Sequence, residues 1–173
     1  VEFLRLEFVA RSLDFHGRVL LARLCVQCDE PEVAIGALED HLDQLETTDL
    51  RELYGVALRQ AGRWADYFGL LCSLLTPPVD VDQHEELAGI ALRRLSDEDA
   101  AFEHLEICLR HGCSAQGFWA WFPEKAGKAP SLRLARLVAD LAGEHPMAVG
   151  DLRTALARAS EAGDKGLQLR LLT

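Results

Sequence analysis

The sequence lacks any apolar run near the roughly 18–20 residues that a membrane-spanning helix requires, and it is poor in basic residues. Its 18 lysines and arginines are outnumbered by 28 acids, for a formal net charge of -10. A general nucleic-acid binder presents a basic surface instead, so we expect no nucleic-acid partner and no membrane span. The 13 glycines and 6 prolines are scattered rather than pooled in a linker, which predicts a single domain over 1–173.

Cysteine usage indicates a reducing compartment. Five cysteines are an odd number in a chain long enough to fold without disulfides, which is typical of cytoplasmic or other intracellular proteins. The pair Cys25 and Cys28 forms a C-x-x-C motif, but it closes a predicted helix beside Asp29 and Glu30. Both features raise a thiol pKa, so we do not expect redox catalysis.

The two ends of the sequence predict a piece of a longer chain. The first residues, VEFLRLEFV, lack the apolar centre and cleavage site of a signal peptide, and the chain does not begin with Met. The last residues, LQLRLLT, stop inside an apparently amphipathic helix.

Helical periodicity extends through almost the whole chain. Apolar residues recur at spacings of three and four, and no stretch alternates with period two, so the sequence predicts an all-α fold of antiparallel helix pairs. Thr48, Asp80 and Ser96 are predicted N-caps, because their side-chain oxygens can accept from the first turn of a helix. Gly62 and Gly143 are predicted left-handed residues at helix ends.

Three segments of the chain align as a repeat. The segments are 21–42, 53–75 and 87–109. Small residues correspond in the first helix of each, at Ala22, Gly55 and Gly89, with separations of 33 and 34 residues. The corresponding positions of the second helix hold Ala34, Tyr67 and Ala101.

This pattern resembles the tetratricopeptide repeat, a helix–turn–helix unit of 34 residues, over about residues 15–110. The resemblance implies a short right-handed α-solenoid of antiparallel helix pairs. The implied parts are units over 15–46, 48–78 and 81–112, an insert over 111–130 and a weaker unit over 131–161. Tyr67 departs from the family pattern because it is large where alanine is expected. A generic helical repeat is the alternative.

The insert is rich in aromatic residues. Its FWAWF core contains Phe118, Trp119, Trp121 and Phe122. Rings of this size usually seal a core, here between the third and fourth units. Tryptophan is also over-represented in binding hot spots, so these four residues are a candidate partner-binding surface.

A second cluster raises the question of a metal site. His104, Cys108 and His111 share one face of a predicted helix, with Cys113 just beyond, and imidazole and thiolate are zinc ligands. The outer two are about 10 Å apart along the axis, and Cys108 occupies a slot that the repeat family fills with a small residue. We therefore predict packing, with no metal and no cofactor. The sequence also shows no phosphate loop, nucleophile motif or other catalytic constellation.

The resemblance further implies a ligand groove lined by the first helices. Its candidate residues are Arg23, Gln27, Glu52, Arg59, Gln60, Gln83, Glu86, Arg93 and Arg94. Four arginines on an otherwise acidic protein predict a partner with an acidic or C-terminal segment, because guanidinium forms forked hydrogen bonds with carboxylates. The alternative is that these arginines pair with Glu52 and Glu86.

These observations predict a non-catalytic protein-interaction module, of scaffold or adaptor type, that binds a partner peptide or helix in the groove or at the insert. The alternative is a structural segment of a longer solenoid scaffold, coat or tether, which would self-associate through its ends because neither end carries a polar cap. A metalloprotein using His104 and Cys108 is the third and weakest hypothesis.

Overall fold

The structure is a computed structural model that describes residues 13–44, 48–122 and 129–172. Within these ranges the regular elements are helical, with ten α-helices and no strand, so the all-α prediction is confirmed there. None of the described helices is both long and apolar enough to cross a bilayer. The chain divides into two compact units, unit 1 (Val1–Leu74) and unit 2 (Leu75–Thr173). The single-domain assignment and the repeat boundaries stay predictions.

Unit 1 consists of two helix pairs around a core of small and branched side chains. Its helices are α1 (Phe15–Gln27), α2 (Pro31–Leu38), α3 (Thr48–Gln60) and α4 (Trp64–Ser73), with a 3₁₀ segment (Glu39–Gln44) after α2. α1 packs against α2 and α3, and α3 packs against α2 and α4. Ala22 and Ala34 are fully buried, so the backbones of α1 and α2 approach closely.

Unit 2 begins with another helix pair and continues into a bundle with the insert. Its helices are α5 (Val81–Ile90), which continues into a π-helical turn (Ala91–Leu95), α6 (Glu98–Arg110), the short α7 (Gln116–Trp119), α8 (Ala129–Ala142), α9 (Val149–Glu161) and α10 (Lys165–Leu172). α5 packs on α6, and α8 contacts α6, α9 and α10. One core cluster joins α6, α7, α8 and α9 through residues such as Leu105, Phe118, Leu134 and Ala155.

The predicted N-caps are partly right. Asp80 caps α5, because its carboxyl accepts from the backbone N–H three residues later at 3.2 Å. Ser96 is wrong by one residue: it is left-handed at φ +56°, and Asp97 caps α6 instead. Thr48 begins α3, and its side chain lies outside the described residues.

The predicted helix ends divide in the same way. Gly62 is left-handed at φ +71°, as its position after α3 predicts. Gly143 is not among the left-handed glycines, so that prediction is wrong. The turn after α8 closes instead through the N–H groups of Glu144 and His145, which both donate to the Leu141 carbonyl.

Asp151 ties the insert to α9. It is only 1 % exposed, and its carboxyl oxygens accept from the Ser114 hydroxyl at 3.1 and 3.2 Å and from the Ala115 N–H at 3.0 Å. A buried carboxyl is tolerated only with such donors. The contact fixes the start of α7, which is too short to be stable by itself.

Candidate functional site

The predicted groove residues lie on the first helices of the pairs in both units. In unit 1 they are exposed on α1 and α3, namely Arg23, Gln27, Glu52, Arg59 and Gln60. In unit 2 they lie on α5 and its π-helical turn, namely half-buried Gln83 and exposed Glu86, Arg93 and Arg94. The Gln60 amide donates to the Val26 carbonyl at 3.4 Å, so it links α3 to α1. One groove containing all nine residues stays a prediction.

Arg59 stacks on an aromatic ring of the neighbouring helix. Its guanidinium carbon lies 5.2 Å from the ring centroid of Tyr67 on α4, within the range of a cation–π contact. Gly55 makes this arrangement possible, because a Cβ there would stand 3.1 Å from Tyr67 Cε2. The large side chain at position 67 is therefore accommodated by the absence of a side chain at position 55.

Arg93 makes the corresponding contact in unit 2. Its guanidinium carbon lies 4.9 Å from the ring centroid of Trp121, which the insert supplies. A Cβ at Gly89 would stand 2.5 Å from Arg93 Nη2 and 3.7 Å from Trp121 Cη2. The sequence GVALR of α3 and the sequence GIALR that runs from α5 into the π-helical turn both carry glycine four residues before the stacked arginine. Gly55 makes room for the Tyr67 ring, whereas Gly89 makes room for the Arg93 guanidinium.

A third stacked arginine shows what such a group binds. Arg133 lies over the Phe102 ring at 4.3 Å from its centroid, and its Nη1 donates to Asp99 Oδ1 at 2.6 Å. Stacking leaves the edge of a guanidinium open to a carboxylate. Arg133, while held on a ring, thus binds a carboxylate of the chain itself.

Arg59 and Arg93 have no such carboxylate among the described residues. Most other described arginines do, namely Arg18, Arg63, Arg110, Arg133, Arg136, Arg158 and Arg170. The alternative, that the groove arginines pair with Glu52 and Glu86, stays a hypothesis, since Glu86 and Arg94 both have interaction partners.

The four aromatic residues of the insert do not share one environment. Phe118, Trp119 and Phe122 are buried in the core of unit 2, and the Phe122 ring stacks on Phe102 at 5.3 Å between centroids. Their burial, at 2 %, 7 % and 4 % exposure respectively, agrees with the packing interpretation. Their role in partner binding stays a prediction. Trp121 is half-buried, so it is the ring of this group that a partner can reach.

His104 has a partner that the sequence analysis missed. Its Nδ1 lies 2.9 Å from Nδ1 of His84 on α5, and His84 is 6 % exposed. The available signal was position: His84 belongs to the buried stripe of α5 that continues at Leu87, Ala88 and Ala91. The face of α6 that carries His104 is thus in contact with α5.

The cysteines near this pair are not arranged as metal ligands. Cys108 is fully buried, and burial raises its pKa to about 12, so the thiol stays protonated at neutral pH. His111 is exposed, with Nδ1 2.9 Å from the Ile107 carbonyl. No group of three or more candidate ligands able to hold a metal occurs in the described ranges.

The C-x-x-C motif lies at the end of α1, as predicted, with Cys28 as the C-cap residue. Cys25 is buried while Cys28 is exposed, and both are free thiols. Burial, with Cys28 and Glu30 nearby, raises the pKa of Cys25. A raised pKa disfavours the reactive thiolate.

Arg59 and Arg93 thus share one arrangement, a guanidinium held over an aromatic ring. Comparisons with protein families, with curated proteins and with solved structures found no match for the chain.

Proposed function

We propose that this chain is a non-catalytic protein-interaction module that binds an acidic segment of a partner protein through Arg59 and Arg93. The observation that carries the proposal is the contrast with Arg133. All three arginines are stacked on rings, but of the three only Arg133 has a carboxylate partner in the part of the chain that the structure describes. A stacked guanidinium has lost part of its side-chain freedom before binding, which lowers the entropic cost of holding a carboxylate.

The proposed architecture is a tetratricopeptide-like array of helix pairs. It is supported by burial at the aligned positions, since Ala22, Ala34 and Ala101 are fully buried. Helix contacts within each unit join helices that are adjacent or next but one in the order given above, a pattern typical of repeat arrays. In such an array the first helices of the pairs line the binding surface. Arg59 lies on such a helix, α3, and Arg93 lies on the π-helical turn that continues α5.

The test compares capture of partners from a cell lysate by the wild-type chain and by the double variant Arg59→Glu/Arg93→Glu. We expect the captured partner to be lost from the variant, because reversed charges repel an acidic segment. The matched control is Arg153→Glu/Lys165→Glu, which changes the net charge equally at two exposed positions of α9 and α10. Circular dichroism checks that every bait is folded.

A second variant separates the guanidinium from its charge. Arg59→Lys/Arg93→Lys keeps both positive charges but loses the planar fork and its stacking, so we expect affinity for the captured partner to fall about tenfold or more. Full capture by the charge-reversed variant, or equal loss from the control, would contradict the proposal.

A further inference from the structure

Unit 1 contains a pocket that the proposed function does not use. Its volume is about 490 Å³, and it opens between the 3₁₀ segment, α3 and α4. The lining residues that matter here are Glu39, Arg51, Tyr54, Arg63, Asp66, Gly69 and Ser73. This volume lies within the range of about 300–1,000 Å³ that is usual for small-molecule sites.

Small residues of α4 create one wall of the pocket. Ala65, Gly69 and Ser73 are spaced by four residues, so they share one face of the helix. A Cβ at Gly69 would meet no atom within 4 Å. The wall is therefore open because of the missing side chain, and a larger side chain at this position would enter the pocket.

The Tyr54 hydroxyl is an unsatisfied polar group at this pocket. Tyr54 is 5 % exposed, and its hydroxyl makes no hydrogen bond within the described part of the chain. Tyr54 lines the pocket. Glu39, Arg63 and Asp66, which also line the pocket, act electrostatically on this hydroxyl.

Among the described residues that line the pocket, positive and negative side chains are equal in number. Arg63 donates to Asp66 Oδ2 at 2.6 Å, and its Nη2 lies 3.7 Å from Glu39 Oε1. Arg51 adds a second positive charge. With two guanidiniums and two carboxylates, an ion of either sign would meet as much repulsion as attraction. A ligand that carries both signs can satisfy both kinds of group.

From this arrangement we infer that the pocket binds a small zwitterion of the amino-acid or dipeptide class. The carboxylate of the ligand accepts a hydrogen bond from the Tyr54 hydroxyl and pairs with Arg51 and Arg63. Its ammonium group pairs with Glu39 and Asp66. The apolar part of the ligand rests on Leu70 and Leu74, which complete the lining. This site is independent of the acidic-partner proposal.

The experiment titrates three related compounds into the isotopically labelled full chain and follows its amide signals by NMR. The compounds are glycyl-leucine, which is a zwitterion, N-acetylglycyl-leucine, which is only an anion, and glycyl-leucinamide, which is only a cation. A ligand of about a dozen heavy atoms binds at about 1 mM with ordinary efficiency. We expect saturable shifts at Tyr54, Gly69 and Leu70 with glycyl-leucine, and at least tenfold weaker binding of the other two.

Two variants and a control locate the site. Gly69→Leu fills the pocket and abolishes the shifts, while Gly36→Leu, at an equally open exposed glycine of α2, leaves binding unchanged. Tyr54→Phe lowers the affinity about tenfold but not the stability, since the hydroxyl has no partner to lose. Equal binding of all three compounds, shifts centred elsewhere, or no saturable shift up to about 10 mM would overturn the inference.

Discussion

At the scale of single residues, the contact between His84 and His104 depends on one proton. Their Nδ1 atoms are 2.9 Å apart, so one ring must donate while the other accepts. Burial lowers the pKa of both side chains below the ordinary value of 6.5. His111 lowers the pKa of His84 further, and His84 does the same to His104. Asp80 and Glu103 act in the opposite direction on His84 and His104 respectively.

This pair predicts a loss of stability in mild acid. When the folded-state pKa is lowered, the unfolded chain binds more protons as pH falls through about 6.5, so the free energy of unfolding decreases. The stabilising contribution is complete above that pH and is lost below the folded-state pKa. Urea unfolding between pH 7.5 and pH 5 measures this decrease in the free energy of unfolding. We expect His84→Gln/His104→Gln to show a smaller decrease than the wild type.

The control for this prediction is His16→Gln, because His16 is exposed on α1. The free energy of unfolding of this variant should decrease in acid as much as that of the wild type. An unchanged decrease in the double variant would mean that other groups, and not the histidine pair, cause the loss of stability in acid.

At the scale of the helix, two glycines of unit 1 predict opposite responses to alanine. Gly36 on α2 has open space where a Cβ would stand, with no atom within 4 Å, so Gly36→Ala should raise the free energy of unfolding by about 0.5–1 kcal/mol. Gly55→Ala would place a Cβ 3.1 Å from the buried Tyr67 ring. We expect it to destabilise by about 1 kcal/mol or more.

Urea unfolding of both variants at neutral pH tests the contrast. If Gly55→Ala stabilised the chain as much as Gly36→Ala, then helix propensity alone would govern both sites, and the close approach of Tyr67 to α3 would be energetically unimportant.

Helices were more predictable than their ends. A period near 3.6 follows from burial of one face, and it locates α1, α3 and α5 without knowledge of their neighbours. The N-terminus of α6 was missed by one residue because Ser96 and Asp97 both offer an acceptor oxygen. The π-helical turn before them places Asp97, not Ser96, at the capping position.

At the scale of the whole chain, net charge opposes the proposed partner at long range. The chain carries a formal charge of -10, which repels an acidic segment until it reaches the arginines. The screening length falls from about 30 Å at 0.01 M salt to about 8 Å at 0.15 M. We therefore predict that association speeds up with added salt over this range.

Stopped-flow fluorescence with a labelled hexaglutamate peptide measures this association rate. The comparison is the association of the same peptide with the variant Arg59→Glu/Arg93→Glu. In this variant binding should be lost at every salt concentration. A rate that falls steadily with salt would indicate attraction at long range and would contradict the charge argument.

The candidate site was only half predictable from the sequence. Exposed arginines at positions 59 and 93 follow from the repeat register, because that register places them away from the buried stripe. The aromatic rings on which these arginines stack do not follow from the repeat register. Trp121 reaches Arg93 from an insert that the repeat pattern does not describe, and His84 meets His104 across two helices. Periodicity places His84 on the buried stripe of α5, but which side chain it meets depends on how the helices pack, and periodicity does not specify that.

The buried carboxyl of Asp151 also sets an order of events during synthesis. Ser114 and Ala115 are made first, and the acceptor for their hydrogen bonds follows 37 and 36 residues later. Until then the start of α7 has no buried acceptor to hold it. The start of α7 therefore gains these hydrogen bonds only after the polypeptide has grown into α9.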